Sequence, residues 1–421
     1  MAEGETLMLL FLFCFILIIP LFVIATRSVF TFFPESVHPK TFQVKKDFNY
    51  TPTVAVIIPC YNEGEAVYTT IKAVWDSDYP KENLKVYPQD DGSVDDSYTW
   101  MLKAATDFDR VYPERNPQNL SKTHTYLRAM DRSESEIVIN VDSDTIVEPH
   151  TIRNLIACLA DERLGVVGTP AGLVNGNDSL LTGMQTFNWS LYNQFITNME
   201  SAFRANQVIG GFGLAVRRHL LAGIADQIRT RNWFGCSTKD GEDRYITHLI
   251  LLQGLGSYIE QSATVRTSAM PDYPKFWGQQ VRWRRSSYRS SLWVLRTLWF
   301  HINHMPMMAI WAILAQLYLS FAAFILVVYF LFAGPLTLLN PIRLITFLGV
   351  AIALIIFWDR DMKYQKLRNP FKMLLAIPWV IFSQFYLAVV CLLTLDQDAW
   401  GNRDKKQDTK SERNQTNRRT K

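Results

Sequence analysis

Apolar residues are concentrated near the two ends of the chain, whereas the middle alternates short apolar and polar stretches. Residues 7–25 form an apolar run without a charge, close to the length of about 20 residues with which a helix crosses a bilayer. A secretory signal peptide is the alternative, but it has a basic head, and here Glu3 and Glu5 precede the run while Arg27 follows it. The pattern predicts an uncleaved transmembrane anchor over residues 1–30, with its N-terminus outside.

Three further apolar stretches, at 307–332, 344–357 and 373–395, lie near the C-terminus. They predict channel-forming helices that span or re-enter the membrane over residues 305–396. The more polar residues 50–272 are then expected to form one folded domain on the cytosolic side.

The tail at 397–421 is basic, because residues 403–421 contain eight Lys or Arg against three Asp or Glu. An excess of basic residues marks the cytosolic side of a membrane protein, so the tail and the folded domain are predicted on the same side. Three full crossings between them would place the tail outside. We therefore expect the stretch 373–395, which contains Pro378, to lie along the interface or to re-enter the membrane.

Charge is distributed unevenly, although the formal net charge is only +4. Residues 275–298 include six basic side chains and no acidic one, interleaved with aromatic residues. This composition predicts amphipathic interfacial helices over 273–304, lying on an anionic membrane surface. Nucleic-acid binding is the alternative, but the segment leads directly into an apolar stretch. Membrane lipid is therefore the predicted partner, and nucleic acid is not.

Short β-branched runs in the central domain each end at carboxylates. Strands are predicted at 54–59, 84–87 and 136–141, and helical stretches lie between them. Strands that alternate with helices indicate an α/β fold with a mostly parallel sheet covered on both faces. Ligands of such sheets bind at the carboxyl ends of the strands, which is where these acidic loops are expected.

Asp142 and Asp144 follow the third of these strands, one residue apart. Neighbouring carboxylates repel each other unless a cation lies between them. Their hard oxygen atoms are suitable ligands for Mg²⁺ or Mn²⁺, which can bridge to phosphate oxygens. The alternative is an ordinary turn, since Asp and Ser also favour turns and helix starts.

The order of the acidic motifs is more specific than any one of them. Asp91 ends the second strand, a Gly-Glu-Asp-Arg cluster occupies 241–244, and Gln-Gln-Val-Arg-Trp follows at 279–283. With these motifs, residues 54–403 resemble the family 2 inverting glycosyltransferases, in particular the membrane polymer synthases that make hyaluronan, chitin oligosaccharides, cellulose and capsular polysaccharides. The resemblance implies a Rossmann-like cytosolic domain of the GT-A type, followed by interfacial and transmembrane helices.

The resemblance also implies roles for individual residues. Asp243 would be the catalytic base that takes the proton of the acceptor hydroxyl. Asp144 would ligate the metal, with Asp142 beside it. The nucleotide-sugar donor would contact Asp91 at its uridine and Lys122, Asp142 and Arg282 at its diphosphate, and the acceptor sugar would contact Gln279 and Trp283.

Each of these assignments has a plainer structural alternative. Lys122 ends an Asn-Leu-Ser-Lys segment that resembles the family's Asn-x-Gly-Lys element, but it could be a solvated surface lysine. Trp283 could anchor an interfacial helix, although an indole face also suits a sugar ring. Glu242 and Asp243 could mark only the N-terminus of a helix over 245–252, and we expect both roles there.

Two glycine-containing segments extend the resemblance to the polymer synthases. Residues 210–213, Gly-Gly-Phe-Gly, stand where the family has its acceptor stretch, which implies that Gly211 lies beside the acceptor. Residues 400–403, Trp-Gly-Asn-Arg, resemble the element that folds over the bound nucleotide. Trp400 and Arg403 are then expected to contact the donor.

The resemblance implies a processive inverting β-glycosyltransferase of the plasma (inner) membrane, similar to hyaluronan synthases. It would polymerise UDP-sugars onto a growing polysaccharide and move the product across the membrane. Alternatives are a chitin-oligosaccharide synthase, another capsular polysaccharide synthase, or a non-processive transferase that acts on a lipid phosphate. A non-catalytic membrane scaffold is a further alternative, which the retained carboxylates disfavour.

Overall fold

A computed structural model describes the central domain, the long helix that follows it and short parts of the C-terminal region. The described residues are 42–233, 236–238, 240–301, 305–307, 309–314, 317, 386–387 and 389–397. The predicted anchor at 1–30, most of 305–396 and the segment 398–421 lie outside them. Within the described ranges, no helix combines the length and the apolar character needed to cross a membrane.

The domain is built on a seven-stranded sheet. In chain order its strands are β1 (Val54–Cys60), β2 (Leu84–Asp90), β3 (Glu114–Arg115), β4 (Ile137–Asn140), β6 (Leu164–Gly168), β8 (Leu214–Arg217) and β11 (Gly256–Ile259). Their spatial order is β11-β6-β8-β4-β1-β2-β3. Strand β8 is antiparallel to both neighbours, and the other pairs are parallel. The predicted mostly parallel sheet is confirmed, with one reversed strand that the sequence patterns did not indicate.

Smaller sheets flank the main one. A three-stranded sheet contains β5 (Ile146–Val147), β7 (Ala171–Leu173) and β12 (Val265–Thr267), and a two-stranded sheet contains β9 (Asn232–Trp233) and β10 (Cys236–Ser237). Strand β5 follows the Asp142 to Asp144 loop directly. The loop is therefore held between a central strand and a second sheet.

Helices cover both faces of the main sheet. The α-helices are α1 (Ala66–Trp75), α2 (Ser97–Asp107), α3 (Lys122–Arg132), α4 (Thr151–Leu159), α5 (Leu180–Leu191), α6 (Asn198–Ala202), α7 (Arg218–Arg229), α8 (Glu242–Leu252) and α9 (Tyr273–His301), with a π-helix at Tyr192–Thr197. One core cluster packs α1, α2 and α4 against alternate strand residues such as Val56, and the other packs α3, α7 and α8 against residues such as Ile57. This period of two is expected of strands buried on both faces.

Two element boundaries differ by three residues from those predicted, whereas the end of β1 and both ends of β4 differ by one residue. Strand β2 continues through Pro88 and Gln89 to Asp90, because it pairs with β1 as far as Asp90. The buried Gln89 amide is satisfied there, since its nitrogen donates to Asn116 Oδ1 (3.1 Å) and its oxygen accepts from Arg132 (3.2 Å). Helix α8 begins at Glu242 and not at residue 245. Asp243 therefore lies in the first turn of α8.

The membrane contact of the basic helix stays a prediction, and two of its arginines contact protein instead. Arg285 and Arg289 of α9 are buried and hydrogen-bond to residues 394–397. A guanidinium group can satisfy several main-chain oxygens at once, so a basic helix can be buried where such acceptors are available. Composition alone does not distinguish these acceptors from lipid phosphates.

The described C-terminal residues run alongside α9. The Tyr386 ring lies 5.3 Å from that of Trp277, and Cys391 Sγ approaches the Val281 carbonyl oxygen at 3.4 Å. Both segments therefore advance in the same direction, and the C-terminal one ends near Arg289.

Candidate active site

The acidic loops meet at the carboxyl edge of the sheet, around one ammonium group. Lys122, the first residue of α3, places its Nζ atom 2.5 Å from Asp142 Oδ1 and 3.2 Å from Glu242 Oε1. Asp142 follows β4, and Glu242 begins α8. The structure thus brings together the predicted donor-binding residues Lys122 and Asp142 and the turn that carries Asp243.

The electrostatic balance keeps the lysine charged. Burial alone would lower the pKa of Lys122, but Asp142, Glu242 and Asp243 together raise it above its usual value. For Glu242, burial favours the neutral form, and the charges of Lys122 and Arg231 outweigh burial and hold its pKa below the usual value. Lys122 and Glu242 therefore remain a charged pair.

Asp243 has a different protonation equilibrium from its neighbour. Burial and then the adjacent Glu242 carboxylate raise its pKa to about 6, against the opposing effects of Lys122 and Arg244. One carboxylate oxygen accepts a 2.7 Å hydrogen bond from the Arg244 main-chain N–H. A carboxylate with a pKa near the working pH can both accept a proton and release it.

Asp91 is buried and organises the loop before Lys122. Its carboxylate accepts hydrogen bonds from Asn116 Nδ2 (2.9 Å), Thr125 Oγ1 (2.7 Å), and the main-chain N–H groups of Leu120 (2.8 Å) and Ser121 (3.0 Å). The predicted contact of Asp91 with uridine stays a prediction. The structure adds a role that the motif did not indicate, which is fixing the start of α3.

Ser121 adopts a backbone conformation that favours glycine, with φ of 91° and ψ of 152°. This explains physically why the related Asn-x-Gly-Lys element has glycine at that position. Residues other than glycine are strained in this backbone conformation. The hydroxyl of Ser121 lies 3.1 Å from His124 Nδ1.

Gly211 directly adjoins the charged cluster. A Cβ atom at this position would lie 2.7 Å from Lys122 Nζ, 3.0 Å from Asn140 Nδ2 and 3.3 Å from Asp142 Oδ1. Larger side chains would therefore displace these groups. The predicted acceptor contact of Gly211 remains a prediction, but its place beside the site is clear.

Asp142 and Asp144 offer oxygen ligands of the kind that Mg²⁺ and Mn²⁺ prefer. In the described part of the chain, no three His, Cys, Asp or Glu side chains form a group that could hold a metal ion. Mg²⁺ is commonly bound by one or two carboxylates with substrate phosphates and water completing its coordination. The two aspartates fit that mode of binding, with an oxygen of Asp142 now held by the Lys122 ammonium.

An aromatic cluster lies on the side of Gly211 that leads to α9. Trp283 is 43% exposed, and its ring meets that of Trp189 edge to face at 6.1 Å. Trp189 in turn lies 5.4 Å from Phe212. Trp189 was not predicted as a site residue, because the patterning of α5 gives no sign of a contact with α9, which lies far along the chain.

Of the four remaining predicted site residues, the structure describes two. Gln279 and Arg282 lie on α9 one turn apart and are half-buried, and their predicted ligand contacts remain predictions. Trp400 and Arg403 lie outside the described residues.

A mostly parallel sheet whose acidic loops meet at its carboxyl edge is the arrangement of the GT-A nucleotide-sugar transferases. Residues 55–223 match the family described as Glycosyl transferase family 2. These residues are therefore similar to a family 2 glycosyl transferase domain, and α8 and α9 follow the matched residues.

Two N-acetylglucosaminyltransferases and a hyaluronan synthase are among the proteins to which this chain is similar. An N-acetylglucosaminyltransferase of Mesorhizobium japonicum is 30% identical over 66% of this chain, and the chain spans 65% of that protein. The chain spans 55% of an N-acetylglucosaminyltransferase of Rhizobium sp., to which it is 31% identical. A hyaluronan synthase of Streptococcus pyogenes is 25% identical over 84% of this chain and 83% of its own length.

A solved structure shows the same fold. The mannosyltransferase PcManGT of Pyrobaculum calidifontis, in complex with GDP-Man and Mn²⁺, matches 90% of this chain and 98% of its own with a TM-score of 0.61. The sequences are 18% identical. At that identity the similarity concerns the fold alone.

The strain at Ser121 predicts a stabilising substitution. Ser121→Gly should raise the free energy of unfolding by about 1 kcal/mol, because relief of the strain exceeds the added chain entropy. Ser133→Gly is the matched control, since Ser133 has an ordinary φ of −94° and its substitution should be destabilising. Thermal denaturation followed by tryptophan fluorescence would measure both, and a lower midpoint for Ser121→Gly would contradict the assignment of strain.

The charge of Glu242 predicts a shift in pH dependence. If Asp243 is the base, activity falls as the pH drops through the raised pKa of Asp243, about 6. Glu242→Gln removes a nearby negative charge, so the pKa of Asp243 should fall and the acidic limb of the kcat/KM profile should move to lower pH. Exposed Glu162 provides the control Glu162→Gln, which should leave the limb in place. A limb that stays fixed or rises in Glu242→Gln would rule out this coupling.

Proposed function

We propose that this protein is a processive inverting β-glycosyltransferase that elongates a polysaccharide from UDP-sugars, as hyaluronan synthases do. The observation that carries the proposal is the single Lys122 ammonium that joins Asp142 to the turn bearing Asp243 in a family 2 domain. Lys122, beside Asp142, can bind a diphosphate, and Asp243 on the other side of the cluster can act as the base.

In the proposed reaction an acceptor hydroxyl oxygen bonds to the anomeric carbon of the donor sugar. The bond from that carbon to the donor phosphate breaks on the opposite face, and UDP leaves with the bonding electrons. Asp243 takes the proton from the attacking hydroxyl as the new bond forms. Lys122 and Arg282 stabilise the negative charge that grows on the leaving diphosphate.

A divalent cation belongs to the proposal. Asp142 and Asp144 would hold Mg²⁺ or Mn²⁺ together with the donor phosphates, and when bound the ion supplies further charge neutralisation at the leaving group. The fold relative from Pyrobaculum was solved with GDP-Man and Mn²⁺, which is consistent with such use. The charge of Lys122 would keep the two carboxylate loops together before the ion and donor arrive.

The acceptor chain would lie against the aromatic cluster of Trp189, Phe212 and Trp283. The exposed indole of Trp283 suits the apolar face of a sugar ring. Gln279 lies one turn earlier on α9 and offers a hydrogen-bonding amide. Gly211 leaves room for the reacting end of the acceptor beside Asp142.

The proposal includes the membrane. The hyaluronan synthase relative aligns over 84% of this chain. The described C-terminal segment ends at Gln397, which accepts hydrogen bonds from Arg285 and Arg289 beside the catalytic domain. This placement supports a segment 397–421, with Trp400 and Arg403, that leaves on the cytosolic side, so that the stretch at 373–395 would re-enter or lie at the interface of the plasma membrane.

A chitin-oligosaccharide synthase is the second candidate function. It is favoured by the higher identity to the rhizobial N-acetylglucosaminyltransferases, 30% against 25% for the hyaluronan synthase. The two functions share the donor site and differ in the sugars accepted.

Product analysis with single and paired UDP-sugars distinguishes these functions. Purified protein in lipid should make long, hyaluronan lyase-sensitive polymer only when UDP-GlcNAc and UDP-GlcA are both present. Short chains from UDP-GlcNAc alone would establish the second function, and addition of one sugar to a lipid phosphate would contradict both.

Asp243→Asn should lower transfer by about 10²- to 10⁴-fold without loss of UDP binding. The exposed Asp226 gives the control Asp226→Asn, which should retain transfer.

A further inference from the structure

The ion pair between Arg289 and Asp240 is buried close to the proposed base. Arg289 Nη1 lies 3.0 Å from Asp240 Oδ1, and the two side chains are 7% and 2% exposed. Burying such a pair removes both charges from water, and apolar residues of similar volume are often as stabilising. The cost of this burial favours a role in positioning over a role in stability alone.

Asp240 belongs to the turn that presents Asp243. Gly241 has a φ of 72°, and a Cβ atom there would overlap Ser286 Oγ of α9. Arg231 holds the same turn from another side, since Nη1 donates to the Gly241 carbonyl at 3.1 Å and Nη2 donates to the Asp240 carbonyl. The start of α8 is therefore fixed by contacts with α9 and with Arg231.

Arg289 also binds the end of the C-terminal helical segment. Its Nε donates to the Leu395 carbonyl oxygen at 2.8 Å, and its Nη2 donates to that of Gln397. Arg285, one turn earlier, donates to the same Gln397 oxygen at 3.0 Å and to Thr394 Oγ1 at 2.8 Å. The last carbonyl groups of a helix lack partners within it, and a cation there is favourable.

We propose that Arg289 is a positioning residue for sugar transfer. Through Asp240 it sets the orientation of the first turn of α8, and through Leu395 and Gln397 it ties that turn to the C-terminal segment. This inference rests on the proposed function, in which Asp243 is the base. Arg289 does not contact the reacting atoms, so its loss should reduce kcat and leave the KM for UDP-sugar unchanged.

Two conservative variants test the proposal in the full-length protein. Arg289→Lys keeps the charge, but one ammonium group cannot reproduce the planar fork that reaches Asp240 and both carbonyls. Asp240→Asn keeps the shape and removes the charge of the partner. Each should lower kcat by about 10- to 100-fold, the cost of a displacement near 1 Å at a reacting group. If both act through one contact, the double variant should be no slower than the slower single variant.

The control is Arg296→Lys, which changes an exposed arginine of the same helix and should leave kcat unchanged. Active sites are counted by UDP binding, so that kcat refers to folded protein. A normal kcat per active site in both Arg289→Lys and Asp240→Asn would overturn the inference, whether or not their thermal midpoints fall. Asp243→Asn separates the two claims. If Asp243→Asn is active, the proposed function fails and this inference fails with it. If Asp243→Asn is inactive while Arg289→Lys and Asp240→Asn are both fully active, only the role of Arg289 is contradicted.

Discussion

The ion pairs of the half-buried Lys122 ammonium are the interaction on which the site depends. Asp142 and Glu242 come from distant parts of the chain, and their loops would repel each other without a cation between them. Asp91 and the strained Ser121 place that ammonium by fixing the first residues of α3. The positive charge that the folded domain needs between these carboxylates is therefore also one that a diphosphate donor needs.

Helix α9 joins the parts of the site that lie beyond the family 2 domain. Its first half carries Gln279 and Trp283, the proposed acceptor contacts. Its middle places Ser286 against Gly241 and Arg289 against Asp240. One helix thus connects the proposed acceptor surface with the turn that bears Asp243. In the proposed function, this arrangement would hold a growing chain and the base in register through repeated additions.

The sequence predicted where the strands lie and that acidic loops follow them, because both depend on local patterns. Runs such as 54–59 show strand composition, and the carboxyl ends of parallel strands must share one edge. The reversed strand β8, the contact of Trp189 with Trp283 and the burial of Arg289 depend on pairings between distant segments. For Arg289, the same basic and aromatic composition suits a lipid surface or buried main-chain oxygens. The role assigned to Asp243 came from a family motif, and the structure adds the charges that raise its pKa.

We propose that Asp142 and Lys122 form the binding site for a metal-bound diphosphate. Calorimetric titration of UDP into the purified protein, with and without Mn²⁺, tests this claim without requiring turnover or knowledge of the sugars. The account predicts binding that requires the divalent cation and that is lost or strongly weakened in Asp142→Asn. Equal affinity with and without Mn²⁺, together with unchanged binding in Asp142→Asn, would contradict it.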